Sequence, residues 1–249
     1  MGLAVNHNKS VVLPLLVSFS FGGSEHAIYP TAIISGNEVI LVDACYPNQL
    51  ELLIDAAGRA GVALSELSKV VITHHDYDHM GSLAALKRNY PQVAVVTSAA
   101  EANYVSGKQR SLRLQQAESI FSSIPDTDKP QALAFQQMLE SIESVDVDVA
   151  VADGDCVDAL GDVVTVETPG HMPGHISLYV KSCKTLIAGD ALVVEGGQLA
   201  IANPQYTLSM EQAKESLRRL LQLDVDTVVC YHGGVFRGDW RSSVAGLVD

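Results

Sequence analysis

The chain has 249 residues, with 16 Lys and Arg against 29 Asp and Glu, which gives a formal net charge of -13. Hydrophobic residues make up 47% of the chain, a share that excludes intrinsic disorder and suffices for a well-packed core. The acidity argues against a nucleic-acid partner, because binding to phosphates needs a basic surface. We expect a small-molecule substrate instead.

The cysteine content indicates a reducing compartment. None of the four cysteines belongs to a C-x-x-C pair, and four in this length is far below the density of a disulfide scaffold. We therefore predict a cytoplasmic location. The apolar run at 11–21 is interpreted as a strand rather than a signal peptide, because Gly22 and Gly23 follow it instead of a cleavage site. No segment is long enough to span a bilayer, so no membrane partner is expected.

The first part of the chain predicts a β-rich layer. Strands are predicted at 11–21, 32–35 and 38–44, and Gly36 and Asn37 between the last two are typical of a hairpin turn. Further along the chain, the pattern predicts a helix at 48–60, a strand at 69–73, a helix at 80–89 and a strand at 92–97.

The stretch at about 99–145 has helical spacing of its apolar residues and no strand signal, and it predicts an insertion of two or three helices. After it, the pattern predicts strands at 145–152, 163–168, 176–180 and 185–188, a helix at 210–223 and a strand at 227–231. This order suits an α/β protein with two sheets stacked between helices, in a single domain over 1–249.

The segment THHDYDHMG at 73–81 follows a predicted buried strand and continues into a helix. Because side chains alternate along an extended stretch, His74, Asp76 and Asp78 are expected on one side, and the helix can bring His79 round to join them. Imidazole and carboxylate together are the usual ligands of a metal ion. The alternative is that Asp78 caps the helix and the histidines are polar loop residues.

Three later segments also place polar residues directly after predicted strands: TPGHMPGH at 168–175, AGDA at 188–191 and YHGG at 231–234. Asp190 ends an apolar strand, where a carboxylate needs a partner to offset its desolvation. Six of the eight histidines fall in the segments at 73–81, 168–175 and 231–234. They are His74, His75, His79, His171, His175 and His232. Scattered surface histidines would not cluster in this way.

In this order, the motifs H-x-D-x-D-H, G-H-x-P-G-H, G-D and H-G-G resemble those of the metallo-β-lactamase superfamily, over about 31–234. The resemblance implies an αββα sandwich with a two-metal site at the rim of the sheets and the helical insertion between the two halves. It assigns His74, Asp76 and His171 to one ion, Asp78, His79 and His232 to the other, and Asp190 to both. Asp43 and His175 would support these ligands rather than bind metal.

One residue departs from the family pattern, because the usual motif is H-x-H-x-D-H and this chain has Asp76 at the second histidine. His75 cannot replace it, since it is expected to face away. A carboxylate favours harder ions such as iron or manganese, whereas family frequency favours zinc. Three carboxylates and a bridging hydroxide would balance two divalent ions, which predicts a near-neutral, less electrophilic site suited to an activated ester or thioester.

The resemblance implies hydrolysis of an ester, thioester or lactone by a metal-bridging hydroxide, as in the glyoxalase II and lactonase-like branch. Asp78 would orient the hydroxide and accept its proton, and Tyr77, Tyr206 and His175 are open as donors to the leaving group. Two other functions stay open: a mononuclear-iron oxidoreductase of the persulfide dioxygenase type, and a non-catalytic metal-binding sensor. The insertion is expected either to cover the pocket or to form a homodimer interface.

Overall fold

Two β-sheets stack face to face, and helices cover the outer face of each sheet. The computed structural model describes residues 9–21 and 23–248. Its strands are β1 (Val11–Pro14), β2 (Val17–Phe21), β3 (Ser24–Ile28), β4 (Thr31–Ser35), β5 (Glu38–Val42), β6 (Leu67–Val71), β7 (Ala94–Ser98), β8 (Val149–Val151), β9 (Val163–Glu167), β10 (Ile176–Val180), β11 (Thr185–Ile187), β12 (Val193–Glu195), β13 (Gln198–Ala200), β14 (Thr227–Cys230) and β15 (Gly234–Phe236). Its α-helices are α1 (Leu50–Arg59), α2 (Tyr77–Met80), α3 (Leu83–Asn89), α4 (Ala102–Val105), α5 (Leu112–Ile120), α6 (Lys129–Glu140), α7 (Met210–Leu220) and α8 (Trp240–Val248). Within the described ranges, none of these helices has the length and apolar character needed to cross a membrane.

The first sheet has the strand order β1-β4-β5-β6-β7-β8, and its strands from β5 to β8 run parallel. The second sheet has the order β15-β14-β11-β10-β9, in which β11 and β14 are the parallel pair. Two hairpins, β2–β3 and β12–β13, stand apart from both sheets. The α/β class and the αββα sandwich expected from the sequence are confirmed.

Alternation along the strands divides the core into layers. In β5, Ile40 and Val42 pack between the two sheets, whereas Leu41 packs with the helices on the outer face. In β11, Ile187 likewise faces the other sheet and Leu186 faces α7 and α8. Successive side chains of a strand point to opposite faces, so an unbroken apolar run is what a strand buried on both faces requires.

The parallel strands bring the polar segments that follow them to one edge of the sandwich. Asp43 follows β5 and Thr73 follows β6, and the Thr73 amide donates a hydrogen bond to Asp43 Oδ1 at 2.9 Å. The two sheets are joined at the same edge, where the Ile176 amide donates to the Thr73 carbonyl at 3.1 Å. Each polar segment is thereby fixed relative to the others.

Several elements differ from the sequence prediction. The run at 11–21 is two strands, because the chain leaves the first sheet after Pro14 and β2 pairs with β3 instead. The helix predicted at 80–89 is present as α3 from Leu83, and the separate short helix α2 ends at Met80, where the predicted helix begins. The sequence pattern missed β3, the β12–β13 hairpin, β15 and α8. Three of those strands have only three residues each, too few for alternation to be recognised.

The helical insertion consists of α4, α5 and α6, and it lies between β7 and β8. Because β8 pairs in parallel with β7, with Val149 opposite Val96, it belongs to the first sheet. The insertion therefore precedes the last strand of the first sheet, and its expected position between the two halves is wrong. Two of the three residues of β8 are exposed, which hid its sheet membership in the sequence.

Gly81 provides a test of how tightly the segment after β6 is held. A Cβ atom there would lie 2.3 Å from the Pro47 backbone nitrogen and 2.3 Å from the Tyr77 carbonyl oxygen. We expect Gly81→Ala to lower the free energy of unfolding by about 1–3 kcal/mol, because backbone atoms must move. The measurement is urea unfolding of the metal-free protein.

Gly58→Ala in α1 is the matched control, since nothing lies within 4 Å of a Cβ atom there. It should leave stability unchanged or raise it by about 0.5–1 kcal/mol, because glycine is unfavourable inside a helix. Equal effects of the two substitutions would contradict the close contact at Gly81.

Candidate metal centre

Seven His and Asp side chains meet at the edge where strands of both sheets end. Six of them are buried, and the side chain of His232 is 32% exposed. Their ligand atoms form three overlapping groups, each within 4.8 Å: His74, Asp76 and His171; His74, His79 and Asp190; and Asp78, His79 and His232. The structure thus brings together all seven residues that the resemblance assigned as ligands.

The first group is centred on Asp76. Asp76 Oδ2 lies 3.1 Å from His171 Nε2 and 3.5 Å from His74 Nε2. Asp190 Oδ2 is 3.7 Å from the same nitrogen of His171. Two imidazole nitrogens and two carboxylates therefore face one small volume.

A second group lies next to the first. Asp78 Oδ2 is 3.2 Å from His232 Nε2 and 3.7 Å from His79 Nε2. Asp190 is close to both rings, with Oδ1 at 3.4 Å from His79 Nε2 and Oδ2 at 3.6 Å from His232 Nε2. Asp190 consequently lies between the two groups, as a residue that bridges two ions must.

Unpartnered buried atoms show that the donor set fits divalent metal ions. His74 Nε2, His79 Nε2 and Asp190 Oδ1 are buried and have no hydrogen-bond partner among the described residues. A buried polar atom without a partner costs about 1–3 kcal/mol, and such atoms are rare in native proteins. Imidazole nitrogens and carboxylate oxygens are ligands that zinc, iron and manganese accept.

Opposite charges offset burial in this cluster. Burial lowers the pKa of His79, but the nearby carboxylates of Asp190, Asp43 and Asp78 outweigh it and hold the pKa well above its usual value. The pKa of His232 is raised in the same way, since Asp190 and Asp78 together outweigh burial. For Asp190, burial acts to raise the pKa, but the charges of His232 and His79 hold it well below the usual range.

The helix start explains how Asp78 and His79 reach the site. Helix α2 begins at Tyr77, so Asp78 and His79 both project from its first turn. Asp78 therefore reaches the site from a helix, and not through the alternation of an extended stretch as the sequence predicted. The N-cap position is Asp76, whose side chain makes no capping hydrogen bond. The alternative in which Asp78 caps the helix is therefore wrong.

Asp43 orients one of the rings. Its Oδ1 accepts hydrogen bonds from the Thr73 amide at 2.9 Å and the Thr73 hydroxyl at 3.0 Å, and its Oδ2 lies 2.9 Å from His79 Nδ1. With Nδ1 engaged, His79 presents Nε2 to the site. Asp43 has a φ of 64°, a left-handed conformation that Asp and Asn tolerate better than most residues.

His175 lies beside the site, with both ring nitrogens engaged. Its Nε2 accepts a hydrogen bond from the Asp190 amide at 3.0 Å, and its Nδ1 is 2.8 Å from the Thr168 hydroxyl. Burial, aided by the charge of His171, lowers its pKa to about 3. The neutral ring of His175 thus positions the Asp190 amide. His175 is not available as a proton donor to a leaving group.

His75 faces away from the site, as alternation along the segment predicts. Its Nδ1 and its amide both bond to the Glu101 carboxylate, and its Nε2 accepts a hydrogen bond from the Leu112 amide at 3.2 Å. The ring stacks on Tyr104 at 4.3 Å between centroids. His75 therefore joins the segment after β6 to the helical insertion.

Arg113, on α5, is the functional residue that the sequence analysis missed. Its Nε donates to Asp76 Oδ1 at 3.1 Å and its Nη2 donates to Asp76 Oδ2 at 2.6 Å. It adds one positive charge to the site. The near-neutral charge predicted from three carboxylates, a hydroxide and two divalent ions did not include it, and is therefore too negative by one. No motif surrounds Arg113; the one signal in the sequence was the carboxylate at position 76 without an identified partner.

A cavity of about 320 Å³ opens over the two groups. Aromatic and aliphatic side chains form much of its wall, namely Tyr46, Tyr77, Val193, Val194, Ala202 and Tyr206. Arg113 is the contribution of the insertion to this wall, and Phe135 of α6 packs edge-on against Tyr77 at 5.6 Å. The insertion therefore borders the cavity, and its expected second role as a homodimer interface stays a prediction.

Comparisons with known proteins agree on one family. The model described as the metallo-beta-lactamase superfamily matches residues 25–232. The chain is 27% identical over 225 residues to the probable metallo-hydrolase YflN of Bacillus subtilis (strain 168), covering 84% of this chain and 81% of that protein. It is 29% identical over 163 residues to a hydroxyacylglutathione hydrolase of Erwinia tasmaniensis, covering 65% of this chain and 45% of that enzyme. A metallo-beta-lactamase family protein of Thermus thermophilus superposes with a TM-score of 0.72 at 20% identity, covering 95% of this chain and 78% of that one.

Asp43→Asn tests the orienting role of Asp43. The amide keeps the shape and tolerates positive φ, but its NH₂ group would oppose His79 Nδ1. We expect zinc affinity to fall about 10–100-fold, the usual effect of losing a carboxylate that orients a ligand. Competition with a chromophoric chelator measures the affinity. The control is Asp155→Asn, which alters an exposed carboxylate that accepts a hydrogen bond from the Ala152 amide. Unchanged affinity in Asp43→Asn would contradict the role.

The raised pKa values of His79 and His232 predict a pH dependence of metal binding. Histidines that bind metal must lose their protons, so zinc affinity should fall as the pH is lowered. This dependence should extend above pH 6.5, the ordinary pKa of His, because the pKa values of both rings are raised. In the metal-free protein, these protonated rings favour the folded state below that pH. The contribution is lost as the pH rises through their folded-state values.

NMR of the metal-free protein with ¹⁵N-labelled histidine checks this directly. His79 and His232 should titrate above 6.5, whereas His175, with a pKa of about 3, should stay neutral between pH 5 and 8. A common midpoint for all three rings would contradict the charge arrangement.

Proposed function

The chain belongs to the metallo-beta-lactamase superfamily, whose members are generally hydrolytic metalloenzymes, and on this basis we propose that it hydrolyses an ester, thioester or lactone with two divalent metal ions. The observation that supports the proposal is the pair of ligand groups that share Asp190, with buried nitrogen and oxygen atoms left without partners. In an ordinary surface cluster of acidic residues, water would bond to such atoms, so they would not be left without partners.

In this proposal His74, Asp76 and His171 hold one ion, Asp78, His79 and His232 hold the other, and Asp190 contacts both. We propose zinc as the metal, with iron or manganese as the alternatives that Asp76 favours. When bound, the metals would supply a water molecule of lowered pKa and a Lewis acid for the carbonyl oxygen.

Asp78 is the residue we propose as proton acceptor. Its side chain is 12% exposed and lines the floor of the cavity, so it can contact a bound substrate. Its backbone carbonyl accepts a hydrogen bond from the Tyr231 hydroxyl at 2.6 Å, which fixes the residue in place. A base must lie within hydrogen-bond reach of the proton it takes, and His232 Nε2 at 3.2 Å from Oδ2 holds the carboxylate towards the site.

Tyr77 and Tyr206 are the remaining donors for the leaving group, since both line the cavity. Burial, with the charge of Asp78, raises the pKa of the Tyr77 hydroxyl, so it keeps its proton at neutral pH. A protonated phenol can donate a hydrogen bond to a carbonyl or leaving-group oxygen.

The cavity favours an uncharged substrate. Among the described residues that line it, Arg113 is the one with a guanidinium or ammonium group, and four of its five N–H groups are engaged within the protein. Glu195 contributes negative charge to the same wall, and Asp76, Asp78 and Asp190 line it as proposed metal ligands. A glutathione thioester, with carboxylates of its own, would find no cationic side chain besides Arg113 among the described lining residues, whereas a neutral ester, thioester or lactone needs none.

The decisive experiment combines metal analysis with a substrate panel. Protein purified without added metal is analysed for zinc, iron and manganese, and is then assayed on esters, thioesters and lactones with and without a carboxylate. We expect two metals per chain and release of acid, faster from neutral substrates, that is lost with a chelator and restored by zinc. Oxygen consumption with a persulfide and one iron per chain would indicate an oxidoreductase instead. Bound metal without any turnover would indicate a sensor.

Asp78→Asn tests the proton acceptor within the same assay. We expect kcat to fall by at least about 100-fold, the lower end of what general acid–base groups contribute. Asp155→Asn, whose carboxylate lies in an exposed turn, should keep full activity. Retained activity in Asp78→Asn would remove Asp78 from the mechanism.

The cytoplasmic location and the lack of nucleic-acid or membrane partners stay predictions from the sequence.

A further inference from the structure

Arg113 lies where a dedicated charge partner of Asp76 would be expected. Two N–H groups of the guanidinium contact the two oxygens of the carboxylate, at 3.1 and 2.6 Å. The side chains are 3% and 5% exposed, so water does not screen the pair. Two-point contacts of this kind are the strong and directional form of the Arg–carboxylate interaction.

Two of the three remaining N–H groups of Arg113 are also occupied within the protein. Nη2 donates to the Tyr206 carbonyl at 2.8 Å, and Nη1 donates to Gln116 Oε1 at 2.5 Å. The guanidinium also lies 5.3 Å from the centre of the Tyr206 ring. Arg113 is therefore held in place as a fixed charge.

We propose that Asp76 and Arg113 act together as one neutral unit that takes the place of the histidine usual at position 76. The proposal rests on the metal site of the proposed function. A carboxylate alone would make the site one charge more negative than an imidazole would, and the guanidinium restores that charge. Arg113 is a positioning residue, since it acts on the metals through Asp76 by fixing both of its oxygens.

The neutral unit makes positions 76 and 113 interdependent. With Asp76→His alone, Arg113 would stay buried without its carboxylate, and its Nη2 already lies 3.5 Å from His171 Nε2. An unpaired buried charge close to divalent ions would oppose their binding. Removing the guanidinium as well should relieve that repulsion. The first ion would then be held by the imidazoles of His74 and His171 together with the one introduced at position 76.

Four proteins test this interdependence: the natural chain, Asp76→His, Arg113→Gln and the double variant. Zinc affinity is measured by chelator competition, zinc content by elemental analysis and stability by thermal unfolding with and without zinc. We expect Asp76→His to lose at least about tenfold in affinity, and the double variant to return to within about threefold of the natural chain. If Asp76→His does not fold, the double variant still decides.

Arg113→Gln separates neutralisation from simple support. It should lower the melting temperature of the metal-free protein, because Asp76 is left as an unpaired buried carboxylate. Zinc should then raise the melting temperature by more than it does in the natural chain, since the metals take over the neutralisation. A purely structural role would give an equal or smaller rise with zinc.

Arg110→Gln is the matched control, because Arg110 precedes the same helix and pairs with Glu118 at the surface. It should not change zinc affinity. Equal affinity in Asp76→His and the natural chain, or a double variant no better than Asp76→His, would overturn the inference. Failure of the natural chain to bind zinc, iron or manganese would instead overturn the proposed function, so the two failures are distinguishable.

Discussion

The balance of charge among four buried carboxylates is the constraint on which the centre depends. Asp43, Asp76, Asp78 and Asp190 are all buried, and burial of a carboxylate is unfavourable unless a positive or hydrogen-bonding group compensates it. The imidazoles provide part of that compensation, and Arg113 provides a full charge at Asp76. Metal ions would complete it, since buried atoms of His74, His79 and Asp190 still lack partners in the described protein.

Groups outside the ligand set position the ligands, and each comes from a different element. Asp43 follows β5 and orients His79, and His175 follows β9 and holds the Asp190 amide. Glu101, after β7, connects the His75 amide at 2.9 Å to the Gly174 amide at 3.1 Å, so it ties two of the polar loops together. Such support fixes ring orientation and keeps the donor atoms converged before any metal binds.

The helical insertion is part of the site rather than an addition to it. Through Leu112 it bonds to His75, and through Arg113 it bonds to Asp76, so neighbouring residues of one segment are each held by α5. The same helix gives the cavity its only guanidinium among the described lining residues and engages that group internally. The proposed preference for uncharged substrates and the proposed interdependence of positions 76 and 113 both depend on how the insertion packs against the site.

The sequence by itself predicted the class of fold and the exclusion of His75, because strand alternation and strand-end motifs are local in the chain. The full set of seven converging residues came from the resemblance of those motifs to the family. The sequence did not reveal Arg113, the engaged state of His175 or the place of β8 in the first sheet. Arg113 is 37 residues from Asp76, and no spacing rule links a helix of an insertion to a loop after a strand. Only the tertiary structure decides which distant charge meets a buried carboxylate, since that contact depends on packing between elements rather than on the pattern within one.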